Sequence, residues 1–180
     1  MKLTGESKLL LSILLATIAI MGTAVYFFSR PTPPPKPLAR EELIAVDSFT
    51  IGNASASAYL VEFSDFQCPA CRAFMPVVDE LATKYSDKLF FVYRHYPLPQ
   101  HAYAKPAAMT AEAAGQQGKF WEMAKLLFEN QDRLSGDLWG SLADELKLNR
   151  KDFDQAINDD TLKAKIDRDE IAAAALKLPG

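Results

Sequence analysis

Residues 64–74 read Ser-Asp-Phe-Gln-Cys-Pro-Ala-Cys-Arg-Ala-Phe and hold both cysteines of the 180-residue chain, Cys68 and Cys71, three positions apart. Before them, Ala58-Tyr-Leu-Val-Glu-Phe63 is a short apolar run without helical period, which reads as a buried strand interrupted by one acid, Glu62. After them, Phe74, Val77, Val78, Leu81 and Tyr85 recur at helical spacing. A helix therefore begins at the motif, with Pro69 at its first position, where no N–H is needed. Pro76 is expected to kink that helix one to two turns in. Leu89-Phe-Phe-Val-Tyr93 is a second strand, aromatic and β-branched, so the stretch forms a β-α-β unit. A shorter strand is expected near Asp47–Ile51.

This placement defines what the cysteines can do. Cys68 lies at the amino end of a helix, where unpaired backbone N–H groups and the helix dipole favour a thiolate, the nucleophile of disulfide exchange. Cys71, one turn on, faces the same side and can release a partner held at Cys68. Two other readings compete. A structural disulfide would close a tiny loop and remove little chain entropy. A zinc half-site would need His95 and His101, the only histidines, whose spacing from the cysteines is longer than in finger-type sites. Strand–CxxC–helix context favours redox chemistry.

Charge is unevenly distributed. Of 20 Lys/Arg and 23 Asp/Glu, five and one lie in residues 1–40, leaving fifteen and twenty-two in residues 41–180, a net of −7. A domain that acidic is a poor partner for a phosphate backbone, which argues against nucleic-acid binding. Residues 1–8 are a short N-terminal tail. Residues 9–28 (LLLSILLATIAIMGTAVYFF) contain no charge and are long enough to span a bilayer as a helix. Tyr26, Phe27 and Phe28 close the stretch with aromatics suited to a membrane interface. The Tyr-Phe-Phe-Ser-Arg that ends it is a poor cleavage site, which favours an uncleaved anchor over a cleaved signal peptide. Residues 29–40 form a linker whose positions 30–37 include five prolines, the composition of an extended polyproline II spacer.

Beyond Pro99 the pattern is helical to residue 178. Residues 102–116 are alanine-rich, Phe120, Trp121, Ala124, Leu127 and Phe128 form one stripe, and Leu138, Leu142 and Leu146 another. Asn149 is expected to cap a helix carrying Phe153, Ala156 and Ile157, and Asp159 or Asp160 to cap a last one. The aromatic stripes read as packing surface rather than a cofactor site, and no cofactor or metal is called for.

Glu62-Phe-Ser-Asp-Phe-Gln-Cys-Pro-Ala-Cys-Arg resembles the active site of the DsbA-type, thioredoxin-like thiol–disulfide oxidoreductases. Tyr93-Arg-His-Tyr-Pro-Leu and Gln117-Gly-Lys-Phe-Trp-Glu-Met resemble two further stretches of its membrane-linked, BdbD-like branch, and the similarity runs from about Asp47 to Gly180. The resemblance implies an α/β, thioredoxin-like fold: an N-terminal part over residues 41–101 with the CxxC, a helical insertion over 102–180, and one preceding transmembrane helix. It also implies that Cys68 is the exposed nucleophile, Cys71 the resolving cysteine, and Glu62 a buried acid assisting proton transfer at Cys71. Pro69 and Ala70 correspond to the residues that set redox poise. An acid in an apolar strand has a raised pKa, unless Glu62 sits solvated at the strand end.

The family continues with a Gly-Thr-Pro segment carrying a cis-proline, a hairpin and a final helix, whereas this chain ends at Leu178-Pro179-Gly180, so it is expected to be C-terminally truncated. The implied activity is oxidation of cysteine pairs in exported proteins by a Cys68–Cys71 disulfide, reoxidised by a quinone-linked membrane partner. Residues 41–180 would lie on the extracytoplasmic side of the cell membrane, where disulfides persist. Reduction or isomerisation, with a reductant as partner, and a non-catalytic docking module are the alternatives.

Overall fold

A computed structural model describes residues 4–29 and 39–179. The proline-rich expectation for positions 30–37 falls outside the described residues. Two units are present, residues 1–38 and 39–180.

The first unit holds one helix, α1 (Gly5–Phe28), whose start is capped by Thr4 Oγ1 accepting from the Ser7 amide at 3.4 Å. None of its 24 residues is buried, and it is long and apolar enough to cross a membrane.

The second unit opens with a single helical turn, α2 (Arg40–Leu43), and strand β1 (Phe49–Gly52). Strand β2 (Ala58–Ser64), helix α3 (Pro69–Lys84) and strand β3 (Leu89–His95) then form the β-α-β unit. The sheet has the order β1-β3-β2, with β2 parallel and β1 antiparallel to β3. In register, Leu60 faces Phe91, Glu62 faces Tyr93 and Ser64 faces His95. Alternation then sends Leu60, Glu62, Ser64, Phe91, Tyr93 and His95 to one face of the sheet. The main hydrophobic core is built on that face, and a smaller cluster of Ala56, Phe90 and Val92 lies on the other, closed by Ile44, Tyr59 and Val61.

Two expectations need correction. Strand β2 is half-buried rather than buried, because it is an edge strand here and only Ser64 of its seven residues is fully covered. The apolar stripe of α3 also splits. Cys71, Met75 and Val78 pack on the core, while Phe74, Val77 and Tyr85 remain exposed. The helix has two apolar faces, and the sheet takes the one spaced from Cys71. The helix continues through Pro76, whose missing N–H removes the intrahelical partner of the Arg72 carbonyl.

The helical lobe comprises α4 (Ala104–Gly115), α5 (Phe120–Glu129), a 3-10 turn (Gln131–Arg133), α6 (Leu138–Glu145), α7 (Arg150–Ala156) and α8 (Asp160–Ala175). α4 is its axis: Ala104, Ala107, Ala108, Ala111, Ala113 and Ala114 are all buried, and their small side chains let neighbouring helices approach closely. The expected caps are present. Asn149 Oδ1 accepts from the Asp152 amide at 3.3 Å, and Asp159 Oδ1 from the Thr161 amide at 2.7 Å. Gly118 makes the α4–α5 turn at φ +74°, a conformation that glycine adopts without steric cost.

A buried ion pair ties this lobe to the sheet. Arg94 on β3 donates to Asp169 on α8 through Nε (2.9 Å) and Nη2 (2.7 Å), and the other Asp169 oxygen accepts from the His95 amide at 3.1 Å.

Candidate active site

The parallel strand β2 delivers the chain to the amino end of α3, and Cys68 is the N-cap of that helix, with extended backbone (φ −79°, ψ 120°). Pro69 occupies the first helical position, as its lack of an N–H and its fixed φ favour. The amides of Ala70 and Cys71, in the first turn, have no intrahelical acceptor and present positive dipole ends beside Cys68. Cys68 and Cys71 are both half-buried, but Cys71 packs against the main core while Pro69 and Ala70 are exposed.

The two sulfurs therefore occupy different environments. Burial pushes the Cys71 thiol up. The Asp65 backbone amide and the Ser64 hydroxyl oppose that shift, and Cys68 adds to it. Glu62 is half-buried on the core face. Burial holds its carboxyl above the usual carboxylate range; Ser64 opposes this and Asp79 reinforces it. Tyr93, opposite Glu62, is pushed well above the ordinary phenol range, first by burial and then by the charge of Glu62.

The loop bearing the cysteines is held by residues that carry no periodic signal in the sequence. Asp65 is 3% exposed and accepts from the amides of Gln67 (2.6 Å) and Leu98 (2.9 Å). His101 Nδ1 lies 2.6 Å from the same carboxylate, and the Asp65 carbonyl accepts from the Cys68 amide at 3.1 Å. From the helical lobe, the buried Gln131 amide donates to the carbonyls of Phe66 (2.8 Å) and Cys68 (2.9 Å). Gln67 Oε1 accepts from the Tyr103 amide at 2.7 Å. The Arg72–Asp132 pair at 2.9 Å is exposed and contributes little.

Both histidines of the zinc-type reading are engaged elsewhere. His95 Nε2 lies 2.9 Å from Glu112, itself paired with Lys165 at 2.7 Å, and His101 faces Asp65. Among the described residues no group of three or more His, Cys, Asp or Glu is arranged to hold a metal ion.

Two cavities flank α3. A cleft of about 400 Å³ between the outer edge of β2 and α3 is lined by Glu62, Phe63, Cys71, Phe74 and Val77 among others. One of about 300 Å³ lies between α3 and α5 and is lined by Glu62, Tyr93, Asp79, Glu122 and Lys125 together with apolar residues. Glu62 lines both. Of the residues singled out in the sequence, Glu62 and Cys71 line one cleft and Cys68 caps α3. The places taken by Ser64, Asp65, Tyr93, His101 and Gln131 were not anticipated; for Ser64 and Asp65 the one available signal is adjacency to the motif.

Known proteins are similar to this chain in sequence or in fold. The chain is 39% identical over 119 residues to a Na(+)/H(+) antiporter, NhaA 1, of Mycolicibacterium vanbaalenii, a match covering 64% of this chain and 19% of that protein. The chain thus spans about a fifth of the length of the curated relatives it matches. Its fold superposes on the thiol-disulfide exchange protein alpha-DsbA2 of Wolbachia pipientis with a TM-score of 0.71 at 19% identity, covering 78% of this chain and 76% of that one. It superposes on BdbD of Bacillus subtilis with a TM-score of 0.64 at 19% identity, covering 73% and 76%. The family model described as Thioredoxin matches residues 45–178, the whole sheet and helical lobe. The chain belongs to the thioredoxin family.

Proposed function

We propose that the chain is a membrane-anchored thiol–disulfide oxidoreductase that oxidises cysteine pairs of exported proteins through a Cys68–Cys71 disulfide. The observation that carries this reading is the asymmetry of the two sulfurs: one caps a helix at its positive end, and the other sits a turn deeper, against the core and in one cleft with an acid of raised pKa.

A substrate thiolate attacks Cys68 Sγ, a sulfur–sulfur bond forms to the substrate, and the Cys68–Cys71 bond breaks. The electron pair leaves on Cys71 Sγ, which takes a proton, because its buried position disfavours the thiolate. Glu62 supplies that proton. The second substrate thiolate then attacks the substrate sulfur of the mixed disulfide, and Cys68 leaves as a thiolate on the helix N-terminus. A quinone-linked membrane protein returns the pair to the disulfide; a reductant in its place would run the cycle in reverse. α1 supplies the anchor, with residues 41–180 outside the cytoplasm. The antiporter relatives, of which the matched stretch is a fifth, support a domain of this type working beside a membrane.

Trapping tests the reading. Cys71→Ala is expected to accumulate mixed disulfides with substrate proteins, while Cys68→Ser forms none. A docking module would yield none in either variant, and capture through Cys71 alone would reverse the two roles.

A further inference from the structure

Two buried hydroxyls beside the cysteines lack partners. Ser64 Oγ and Tyr93 Oη are fully covered, and neither closes a hydrogen bond among the described residues. Buried polar groups are normally satisfied, and an unsatisfied one calls for an explanation, a redox or catalytic role among them. The register explains why these two meet. Glu62 pairs with Tyr93 across the strands and Ser64 follows Glu62 by two residues, so all three side chains leave one face of the sheet. Cys71 meets that face, packed on the core cluster that contains Tyr93. Glu62 shares one cavity with Cys71 and the other with Tyr93. The Ser64 hydroxyl acts on Glu62, Cys71 and Tyr93 alike, yet sits beyond normal hydrogen-bond geometry from each. Such contacts commonly tighten only during the reaction.

We infer that the Ser64 hydroxyl relays a proton between Glu62 and Cys71, with the Tyr93 hydroxyl positioning it. This rests on the oxidoreductase reading. When the Cys68–Cys71 bond breaks, the electron pair on Cys71 Sγ takes the Ser64 Oγ proton and Ser64 takes the Glu62 proton. Glu62 is left a carboxylate and regains a proton from solvent through the cavity between α3 and α5. The charged groups facing it there are Asp79 on α3 and Glu122 and Lys125 on α5, all exposed. Reoxidation runs the same transfers backwards. Ser64 is a catalytic residue in this relay, since its proton passes to the reacting Cys71 sulfur, and Tyr93 is a positioning residue that acts through Ser64.

The test uses the full chain in detergent. Its disulfide form oxidises a peptide dithiol in single turnover, with Ser64→Ala, Ser64→Thr and Tyr93→Phe compared across pH. Ser64→Ala is expected to lose about 10²-fold in rate, the lower end for general acid–base transfer, with unchanged or higher thermal stability, because an unpaired buried hydroxyl is removed. Ser64→Thr is expected to restore the rate to within a few-fold, and Tyr93→Phe to lose less than Ser64→Ala. A Ser64→Ala rate within threefold of wild type overturns the relay, as does a loss that threonine fails to rescue. A second measurement needs no turnover. With Cys68→Ser, the pH midpoint of Cys71 alkylation is expected to rise when Ser64→Ala is added, and an unmoved midpoint also overturns the relay. If the wild-type chain oxidises no dithiol, the oxidoreductase reading fails while this titration still decides whether Ser64 couples to Cys71.

Discussion

Replacing Asp169 with alanine is expected to cost the domain about 4 kcal/mol, taken from the usual 3–5 kcal/mol for breaking a buried pair at one end. Asp169 is 1% exposed and accepts from Arg94 Nε, Arg94 Nη2 and the His95 amide at 2.9, 2.7 and 3.1 Å. Without it, the Arg94 guanidinium, 4% exposed, keeps one bond to the Leu43 carbonyl (3.1 Å) and the face of Phe63 at 4.8 Å. Neither contact neutralises a charge taken out of water. The loss is a large share of the roughly 5–15 kcal/mol that a domain has in total. At about 2.1 cal/mol/K per residue over roughly 140 residues, the unfolding entropy is near 0.3 kcal/mol/K, so Tm is expected to fall by about 13 °C. Both tryptophans, Trp121 and Trp139, lie in the helical lobe, so their fluorescence during thermal and urea unfolding reports this domain separately from α1. The control is Arg94→Met with Asp169→Leu, which removes both charges and is expected to recover most of the loss. A single-variant loss under about 1 kcal/mol, or a double variant as unstable as the single, would refute the claim that an uncompensated buried charge sets the cost.

Three further outcomes are expected. Because burial raises the Glu62 pKa above its unfolded value near 4.5, the stability it contributes is present below that pH and lost as pH rises through the folded pKa. Glu62→Gln should therefore match wild type in acid and exceed it increasingly above about pH 4.5; a difference constant with pH would contradict the assignment. Gln131→Ala strips the donors from the Phe66 and Cys68 carbonyls and is expected to cost about 1–3 kcal/mol and to slow dithiol oxidation, with unchanged urea midpoint and rate counting against the clamp. Lys36→Cys should react with a membrane-impermeant thiol reagent in intact cells, whereas labelling only after lysis would place the domain in the cytoplasm.

The β-α-β unit and its motif were legible because apolar period, Pro69 and the cysteines agree on one local structure. The helix starts at Asn149 and Asp159 were legible for the same reason, since a cap is a contact between neighbours in sequence. What could not be read is long-range. Arg94 and Asp169 are 75 residues apart, and Gln131 is 63 residues from the Cys68 carbonyl it holds. A polar residue with one distant partner leaves no periodic trace. The edge position of β2 was equally hidden, since an apolar run reads alike whether it is central or marginal. The exposure of Phe74 and Val77 followed from the two-faced helix, where sequence spacing alone does not choose the buried side.

The clamp from the helical lobe also sets an order of events during synthesis. Gln131 emerges 63 residues after Cys68. At about 5–20 residues per second, roughly 3–13 s pass between the birth of the motif and that of the side chain that fastens its main chain. For that interval Cys68 and Cys71 belong to a nascent segment whose local helix signals are complete but whose tertiary restraint has not yet been made. The main chain around the cysteines is thus shaped in two stages, first by its own strand and helix and only later by a side chain from the helical lobe.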